Sequence, residues 1–336
     1  MSEIYYVGID LGTSRTSIAT STGKRMTTIT CVGYAKDMIT KKRFGKDYLL
    51  GQEALDNRLG LNMVWPLGAG VIEDNEDALK ATRLILQNVV AQAIPDKKPE
   101  DKIYAAIGVP ARASVKSKKH ILEVSKGFID KVMVVSEPFA VAYSIDKLYE
   151  TLIVDIGAGS SDVSLQLGSM PTEDSERTID IAGNYLDSCI QEGILEKYPN
   201  VQLTKNIVKT IKEKYGYVSQ NSDPIIVTFT EAGKPKDYDI TEIMREACLK
   251  LTDPICETVQ DIIAHADPEF QVKFRNNIII AGGGSRLKGI DRAIEKSLEE
   301  YGGGNAICVQ DAEFEGAIGG LKLISECPEE MLEELD

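Results

Sequence analysis

A short hairpin signature occurs twice in this chain, and this repeat constrains the fold more than any other feature. In the first copy, a predicted strand ends at Asp10, a turn of small residues follows at 12–14, and a second strand returns. Residues 151–167 repeat this order, with Asp155 at the end of the first strand and a turn at 157–160. Repetition over such a long period predicts a duplicated domain.

Helices and strands alternate along the rest of the sequence. Helical apolar spacing and β-branched runs bounded by Gly or Pro are the signals. They predict strands at 5–10, 16–21, 103–109, 178–182, 277–281 and 306–309, and helices at 76–93, 185–197, 204–215, 241–265, 286–300 and 314–325. A polar hairpin is predicted to turn at Ala232 and Gly233, and the acidic end, 328–336, is expected to be mobile. The alternation predicts layered α/β domains.

Charge and composition exclude several classes of function. The 336 residues include 38 Lys and Arg against 52 Asp and Glu, and the net charge of −14 repels nucleic acid and anionic lipid alike. The six cysteines form no C-x-x-C pair and only two histidines are present, which argues against a metal cluster or a disulfide framework. With no signal peptide and no apolar run of membrane-spanning length, we expect a cytoplasmic protein without direct membrane insertion.

Each hairpin turn is a candidate phosphate site. Small residues let successive backbone N–H groups converge on an anion. A carboxylate beside phosphate needs a divalent cation between the two, and Mg²⁺ keeps several waters when one or two carboxylates hold it. We therefore expect Asp10 and Asp155 to anchor Mg²⁺ through water. For a single hairpin, ordinary Asp-x-Gly turn chemistry is the favoured alternative, but two matching copies favour phosphate binding.

Glu137 follows an apolar predicted strand and comes directly before Pro138, the predicted first residue of a helix. One hypothesis is a base that orients an attacking water. The alternative is a carboxylate that the helix dipole favours at the N-terminus, without a chemical role.

Three further segments have weaker signals. The run 282–285 leads from a buried strand through three glycines, so that a base or ribose could approach the backbone, yet it is neither a Walker A loop nor a G-x-G-x-x-G fingerprint. Lys212 and Glu213 are by themselves typical of a solvated helix face. Gly183 and Asn184 are typical of an ordinary turn.

Taken in order, these segments resemble the nucleotide-binding elements of the actin, Hsp70 and sugar kinase superfamily. The order is a first phosphate hairpin, a connecting helix that begins with Glu, a second phosphate hairpin, an adenosine glycine run and a closing helix near 314–320. The resemblance implies ATP or ADP with Mg²⁺ as the ligand, and Asp10 and Asp155 as carboxylates that position the hydrated ion. It also implies that Glu137 helps to activate water.

The same resemblance implies a set of nucleotide contacts. Those to the phosphates come from the two turns, and those nearer the adenosine come from the later segments. The implied residues are Gly12, Thr13, Ser14, Gly157, Ala158, Gly159, Ser160, Gly183, Asn184, Lys212, Glu213, Gly282, Gly283, Gly284 and Ser285.

Within the superfamily, the chain resembles the bacterial actin-like filament proteins that organise magnetosome chains. Ser160 and Ser161 stand where relatives often have two threonines, which keeps the hydroxyls. The first turn lacks the lysine of eukaryotic actin, as expected for the prokaryotic branch. The segments that carry the similarity are 8–14, 107–114, 135–139, 182–187 and 281–286.

This resemblance implies a two-domain actin-like ATPase fold, in which two ribonuclease H-like domains enclose a nucleotide cleft. We expect domain I at 1–150 with an outer insert at 33–70, domain II at 151–320 with an insert at 183–246, and a return to domain I at 321–336. The implied function is a slow ATPase that polymerises with itself into filaments, with adaptor proteins that link it to magnetosomes. A small-molecule kinase and an Hsp70-like scaffold ATPase are the alternatives.

Overall fold

The computed structural model describes residues 2–218 and 223–335, which form two compact units. Unit 1 consists of Met1–Leu148, Gly168–Glu173 and Glu313–Asp336. Unit 2 consists of Tyr149–Leu167 and Asp174–Ala312. The last segment of unit 1 begins at Glu313, because the helix that follows packs against strands and a helix of this unit.

Strands and helices alternate along the described part of the chain. The strands are β1 (Ile4–Leu11), β2 (Arg15–Thr20), β3 (Arg25–Ile29), β4 (Val32–Ala35), β5 (Tyr48–Leu50), β6 (Leu61–Val64), β7 (Leu67–Gly68), β8 (Val71–Ile72), β9 (Lys102–Val109), β10 (Lys131–Ser136), β11 (Tyr149–Ile156), β12 (Ser161–Leu167), β13 (Glu176–Ile179), β14 (Val201–Gln202), β15 (Ile226–Glu231), β16 (Lys234–Asp239), β17 (Ile278–Ala281), β18 (Ala306–Cys308) and β19 (Glu333–Glu334). The α-helices are α1 (Met38–Phe44), α2 (Gly51–Asp56), α3 (Glu76–Ala93), α4 (Val115–Ser125), α5 (Glu137–Ser144), α6 (Gly183–Lys197), α7 (Lys205–Tyr215), α8 (Thr241–His265), α9 (Pro268–Arg275), α10 (Ile290–Ser297) and α11 (Glu315–Glu326).

The main sheet of unit 1 has the strand order β19-β10-β9-β1-β2-β3. Its central strand β1 pairs antiparallel with β2, as the predicted hairpin requires, and parallel with β9. Apolar side chains of β1 such as Val7 and Ile9 pack with Leu86 and Val90 of α3 on one face. The other face packs against α5 and α11, so the unit is a layered α/β structure.

The main sheet of unit 2 repeats this arrangement with the order β13-β12-β11-β17-β18. Strand β11 pairs antiparallel with β12 and parallel with β17, just as β1 pairs with β2 and β9. Val154 and Val163 of the hairpin pack in one core with Leu186 of α6 and Leu251 of α8. The predicted second hairpin is therefore confirmed, and so is the predicted helix at 241–265.

Small sheets occupy parts of the segments expected to be outer inserts. Strands β5, β4 and β6 form one of them in unit 1, and β14, β15 and β16 form another in unit 2. The turn of the polar β15–β16 hairpin has Ala232 and Gly233 at positive φ, as its residues predict. The domain and insert boundaries themselves stay predictions.

Several predicted element boundaries were wrong. The helix expected at 286–300 is instead a 3₁₀ turn, α10 and a second 3₁₀ turn, and α10 begins only after Gly289, which has a φ of 84°. Helix α5 begins at Glu137, one residue before Pro138, and β13 covers Glu176–Ile179 rather than 178–182. Because apolar spacing does not locate a left-handed residue, such boundaries depend on the surrounding structure.

The acidic end of the chain also differs from its prediction, since it was expected to be mobile. Strand β19 pairs antiparallel with the edge of β10, and Leu332 is buried. The Lys131 ammonium lies 3.1 Å from a carboxylate oxygen of Glu329 and 3.5 Å from one of Glu334. Apolar burial and neutralisation of these acidic side chains hold the segment in place.

Helix α11 approaches its neighbours so closely that some of its positions require glycine. A Cβ atom added at Gly319 would lie 1.7 Å from the carbonyl oxygen of Ala140 in α5, and one at Gly8 of β1 would lie 2.0 Å from the carbonyl oxygen of Ala317. A Cβ at Gly320 would meet Ala106 at 3.4 Å, an ordinary contact distance.

We expect Gly319→Ala to reduce the free energy of unfolding by about 2–3 kcal/mol, because α11 must move away from α5. Gly320→Ala is the matched control in the same helix, and it should change stability by less than about 1 kcal/mol because alanine also favours the helix. Urea denaturation followed by circular dichroism measures both. Equal stability of the two variants would contradict the close packing.

Candidate functional site

In unit 1, Asp10 lies at the end of the central strand β1. Its register partners are Ser17 on β2 and Gly108 on β9. Burial raises the pKa of the Asp10 carboxyl to about 6. A Cβ at Gly316, near the N-terminus of α11, would lie 3.2 Å from an oxygen of this carboxylate, so the glycine keeps the space beside it open. Burial disfavours the ionised form of this carboxyl, and a nearby cation would offset that effect.

Glu137 lies close to Asp10 in the same unit. It is the first residue of α5 and follows β10, which is parallel to β9. A Cβ at Gly108 would lie 3.3 Å from Cγ of Glu137 and 3.8 Å from Cα of Asp10. The ends of three adjacent parallel strands therefore bring these two predicted residues together, with Gly108 providing room for the Glu137 side chain.

The first turn, residues 12–14, is held by hydrogen bonds to its own carbonyl groups. The Thr30 hydroxyl donates to the carbonyl oxygen of Gly12 at 2.7 Å, and the Thr30 N–H donates to that of Ser14 at 3.0 Å. The Thr13 hydroxyl accepts a hydrogen bond from the Gly70 N–H at 3.0 Å and still has its own proton to donate. Thr30 was not predicted, because no motif surrounds it.

In unit 2, Asp155 takes the place that Asp10 has in unit 1. It pairs with Asp162 on β12 and with Ala281 on β17. Asp162 is almost fully buried, and it accepts hydrogen bonds from the hydroxyls of Ser160 and Thr178. Asp162 was not predicted, although an acidic residue on a buried strand beside the second turn is a detectable signal.

The second turn, residues 157–160, is closed by a hydrogen bond from the Gly157 N–H to the Ser160 carbonyl at 2.9 Å. The first amides of α6 then hold it from outside. The Gly183 N–H donates to the Gly157 carbonyl at 3.0 Å, and the Asn184 N–H donates to the Ala158 carbonyl at 2.8 Å. Both amides are thus engaged with the turn, and the nucleotide contacts implied for Gly183 and Asn184 stay predictions.

The glycine run 282–285 lies directly against Asp155. Gly282 has a φ of 70°, and a Cβ there would lie 2.3 Å from an oxygen of the Asp155 carboxylate. A Cβ at Gly284 would lie 2.2 Å from Cγ2 of Ile156, whereas one at Gly283 would meet nothing within 4 Å. The Ser285 hydroxyl donates to the Gly282 carbonyl at 2.7 Å and closes the turn. The run thus brings an open stretch of backbone next to a carboxylate.

Helix α7, which carries Lys212 and the exposed Glu213, ends beside this run. A Cβ at Gly216 would lie 2.6 Å from a methyl group of Leu287. The Lys212 ammonium donates to the Gly183 carbonyl at 2.9 Å and lies 2.9 Å from the Asp187 carboxylate. Burial raises the pKa of Asp187, and Lys212 opposes this effect.

These residues fit a phosphate ligand accompanied by a hydrated cation. The described residues contain no cluster of three or more His, Cys, Asp or Glu side chains that could hold a metal directly. Asp10 and Asp155 each offer a carboxylate at a strand end next to glycine backbone, which suits an ion that keeps its waters. No helix in the part of the chain that the structure describes is long and apolar enough to cross a membrane.

We expect Gly282→Ala to displace Asp155 and to weaken Mg²⁺-dependent ATP binding at least about tenfold, since the new methyl group needs the space of the carboxylate and a strained φ. Gly233→Ala, in the exposed turn between β15 and β16, is the matched control, because Gly233 also has a positive φ, of 78°, but a methyl group there meets nothing within 4 Å. Calorimetric titration with ATP, in the presence and absence of Mg²⁺, measures the effect. Equal affinities in the two variants would contradict the packing described above.

Comparison with known sequences identifies the family. The model of the MreB/Mbl protein family matches residues 5–325. The chain is 39% identical to the actin-like protein MamK of Paramagnetospirillum magneticum over 324 residues, which cover 96% of this chain and 93% of the relative. It is 32% identical to a MamK-like protein of the same organism, over 97% of this chain and 96% of that protein.

Comparison with solved structures agrees with the sequence comparison. The MamK double helical filament matches with a TM-score of 0.94 and 37% identity, over 97% of this chain and 100% of that chain. A non-polymerising MamK mutant bound to AMPPNP has a TM-score of 0.74 at 37% identity, with the same coverage. MreB 5 of Spiroplasma citri bound to AMPPNP, at 20% identity and a TM-score of 0.80 over 97% of each chain, supports the fold alone.

The resemblance predicted from the ordered motifs is confirmed, and so is the two-domain actin-like class of fold. The family match extends over nearly the whole chain and includes both hairpins, Glu137 and the glycine run. This chain therefore belongs to the MreB/Mbl family of actin-like proteins.

Proposed function

We propose that this protein is an ATP-dependent, actin-like protein that polymerises with copies of itself into filaments. The observation that carries the proposal is the similarity to MamK, 39% identity over 96% of the chain, together with the TM-score of 0.94 to MamK in its double helical filament. A head-to-tail contact that does not close into a ring produces such a filament.

The groups around the first turn in unit 1 and around the second turn in unit 2 each support ATP with Mg²⁺ as the ligand. In each of the two turns, backbone carbonyl groups accept hydrogen bonds from a neighbouring segment. Each turn also lies next to a carboxylate at the end of a central strand. A MamK mutant in the comparison binds the ATP analogue AMPPNP. We propose that Asp10 and Asp155 hold hydrated Mg²⁺, and that the implied contacts of Lys212, Glu213 and the run 282–285 serve the adenosine part.

When bound, Mg²⁺ would neutralise the charge that develops on the phosphates. The turns would bind and orient the phosphate oxygens through backbone N–H groups. Glu137 would accept a hydrogen bond from the attacking water and orient it, since its side chain lies beside Gly108 at the same strand ends as Asp10. Loss of the terminal phosphate would then change which subunit contacts are favoured.

The cellular role belongs to the same proposal. We propose cytoplasmic filaments that lie along magnetosome chains and position the magnetosomes, with adaptor proteins as the connection. The similarity to MamK supports this role, and the net charge of −14 disfavours nucleic acid as a partner.

Polymerisation should require nucleotide. We expect the purified chain to sediment at high speed with Mg²⁺ and ATP, and to remain in the supernatant without nucleotide, with ordered filaments visible in negative stain. Asp155→Ala is the control. This variant lacks the carboxylate that we propose holds hydrated Mg²⁺ in unit 2, so it should stay in the supernatant with Mg²⁺ and ATP. A folded protein that binds ATP and hydrolyses it, yet never sediments, would support the kinase or scaffold alternative.

Glu137→Gln should slow phosphate release about 100-fold or more and leave ATP affinity within about twofold, because the amide is a much weaker base of the same size. The exposed Glu123, on α4 of the same unit, provides the matched control Glu123→Gln. A phosphate-release assay and nucleotide titration separate the two effects. Unchanged turnover in Glu137→Gln would remove this residue from the mechanism.

A further inference from the structure

We propose that Thr30 is a positioning residue that aims the backbone N–H groups of the first turn at the phosphates. The proposal rests on the proposed nucleotide-binding function and adds to it. Thr30 lies between β3 and β4, outside the hairpin, and its side chain is fully buried. It therefore acts on the ligand only through the turn.

The contacts of Thr30 fix two peptide units of the turn. Its hydroxyl donates to the Gly12 carbonyl at 2.7 Å, and its backbone N–H donates to the Ser14 carbonyl at 3.0 Å. In a planar trans peptide, the carbonyl of one residue and the N–H of the next point in opposite directions. A Gly12 carbonyl directed at Thr30 therefore directs the Thr13 N–H to the other side of the turn.

The hydrogen bond from Thr30 to Gly12 determines which of the Thr16 and Thr30 hydroxyls is the donor in the bond between them. The Thr16 and Thr30 hydroxyl oxygens are 2.9 Å apart, and Thr16 is also fully buried. A threonine hydroxyl has one proton, and Thr30 uses it on Gly12. Thr16 must then be the donor to Thr30. Removal of the Thr16 hydroxyl consequently leaves the bond from Thr30 to Gly12 in place, which provides a matched control.

The second turn is held in the same manner by different atoms. There the N–H groups of Gly183 and Asn184 donate to the carbonyls of Gly157 and Ala158. The same peptide geometry directs the N–H groups of Ala158 and Gly159 away from α6. The two turns occupy equivalent positions in their sheets, and the carbonyls of both accept hydrogen bonds. The donor is Thr30 at the first turn and the N-terminus of α6 at the second.

The gain from such an arrangement is preorganisation. Free in solution, a glycine-containing turn samples many orientations, and an anion would have to order its N–H groups upon binding. Donors that are already aimed need no reorganisation and stabilise the negative charge more strongly. A buried hydroxyl with only a structural role would affect folding, whereas this role affects the recognition of phosphate in particular.

The test compares the affinities of the full chain for Mg²⁺-ATP and for adenosine, which has no phosphate. Thr30→Val keeps the shape and the backbone N–H but removes the hydroxyl. We expect it to weaken ATP binding about tenfold, because a misdirected Thr13 N–H would lose about the value of one hydrogen bond to a charged phosphate. Adenosine affinity should stay within about twofold. Thr30→Ser should restore ATP affinity. Thr16→Val should lower the melting temperature without changing the ratio of the two affinities.

An unchanged ATP affinity in Thr30→Val, or an equal loss in Thr16→Val, would overturn the proposal. If Thr30→Val does not fold, Thr30→Cys takes its place, because a thiol is a weak donor, and it must show an intermediate loss of ATP affinity. Failure of the proposed function is distinct, since the unmodified chain would then bind neither ATP nor its analogue AMPPNP.

Discussion

The carboxylate at the end of each central strand needs empty space beside it, and the rest of the candidate site depends on this constraint. In unit 1, Gly316 leaves the space next to Asp10, and in unit 2, Gly282 leaves it next to Asp155. A methyl group at Gly282 would lie 2.3 Å from an oxygen of the Asp155 carboxylate, which is too close for both groups to stay in place. Because each glycine belongs to an element far along the chain from its aspartate, the geometry of the site and the packing of the sheet with its neighbours are inseparable.

The backbone is also packed tightly around β1. The N-terminal end of helix α11 lies beside Asp10. The same helix packs so closely on α5 at Gly319 that no side chain would fit between the two backbones. Since α5 begins with Glu137, its position relative to β1 fixes where that carboxylate lies. Packing of two helices on one sheet face thus determines the relation between a proposed metal anchor and a proposed base.

Ionisation of the buried Asp10 carboxyl has a cost in stability. Burial raises the pKa of Asp10 to about 6, so the charged form, which a cation needs, is disfavoured without a ligand. A bound cation would reverse this effect, because it stabilises the ionised carboxylate. The folded protein without ligand and the protein with Mg²⁺ and nucleotide would therefore differ in stability, as is usual for sites that selection keeps for function.

The sequence by itself determined the duplicated hairpins, the long helix α8, the family and the residues of the two turns, because local spacing and residue type encode these features. Only the tertiary structure decided that Thr30 bonds the first turn and Asp162 the second, that the amides of Gly183 and Asn184 are used on the second turn, and that the acidic tail pairs with β10. Contacts of this kind join residues that are distant along the chain, and their hydrogen bonds form only once strands and helices have packed, so no local pattern records them.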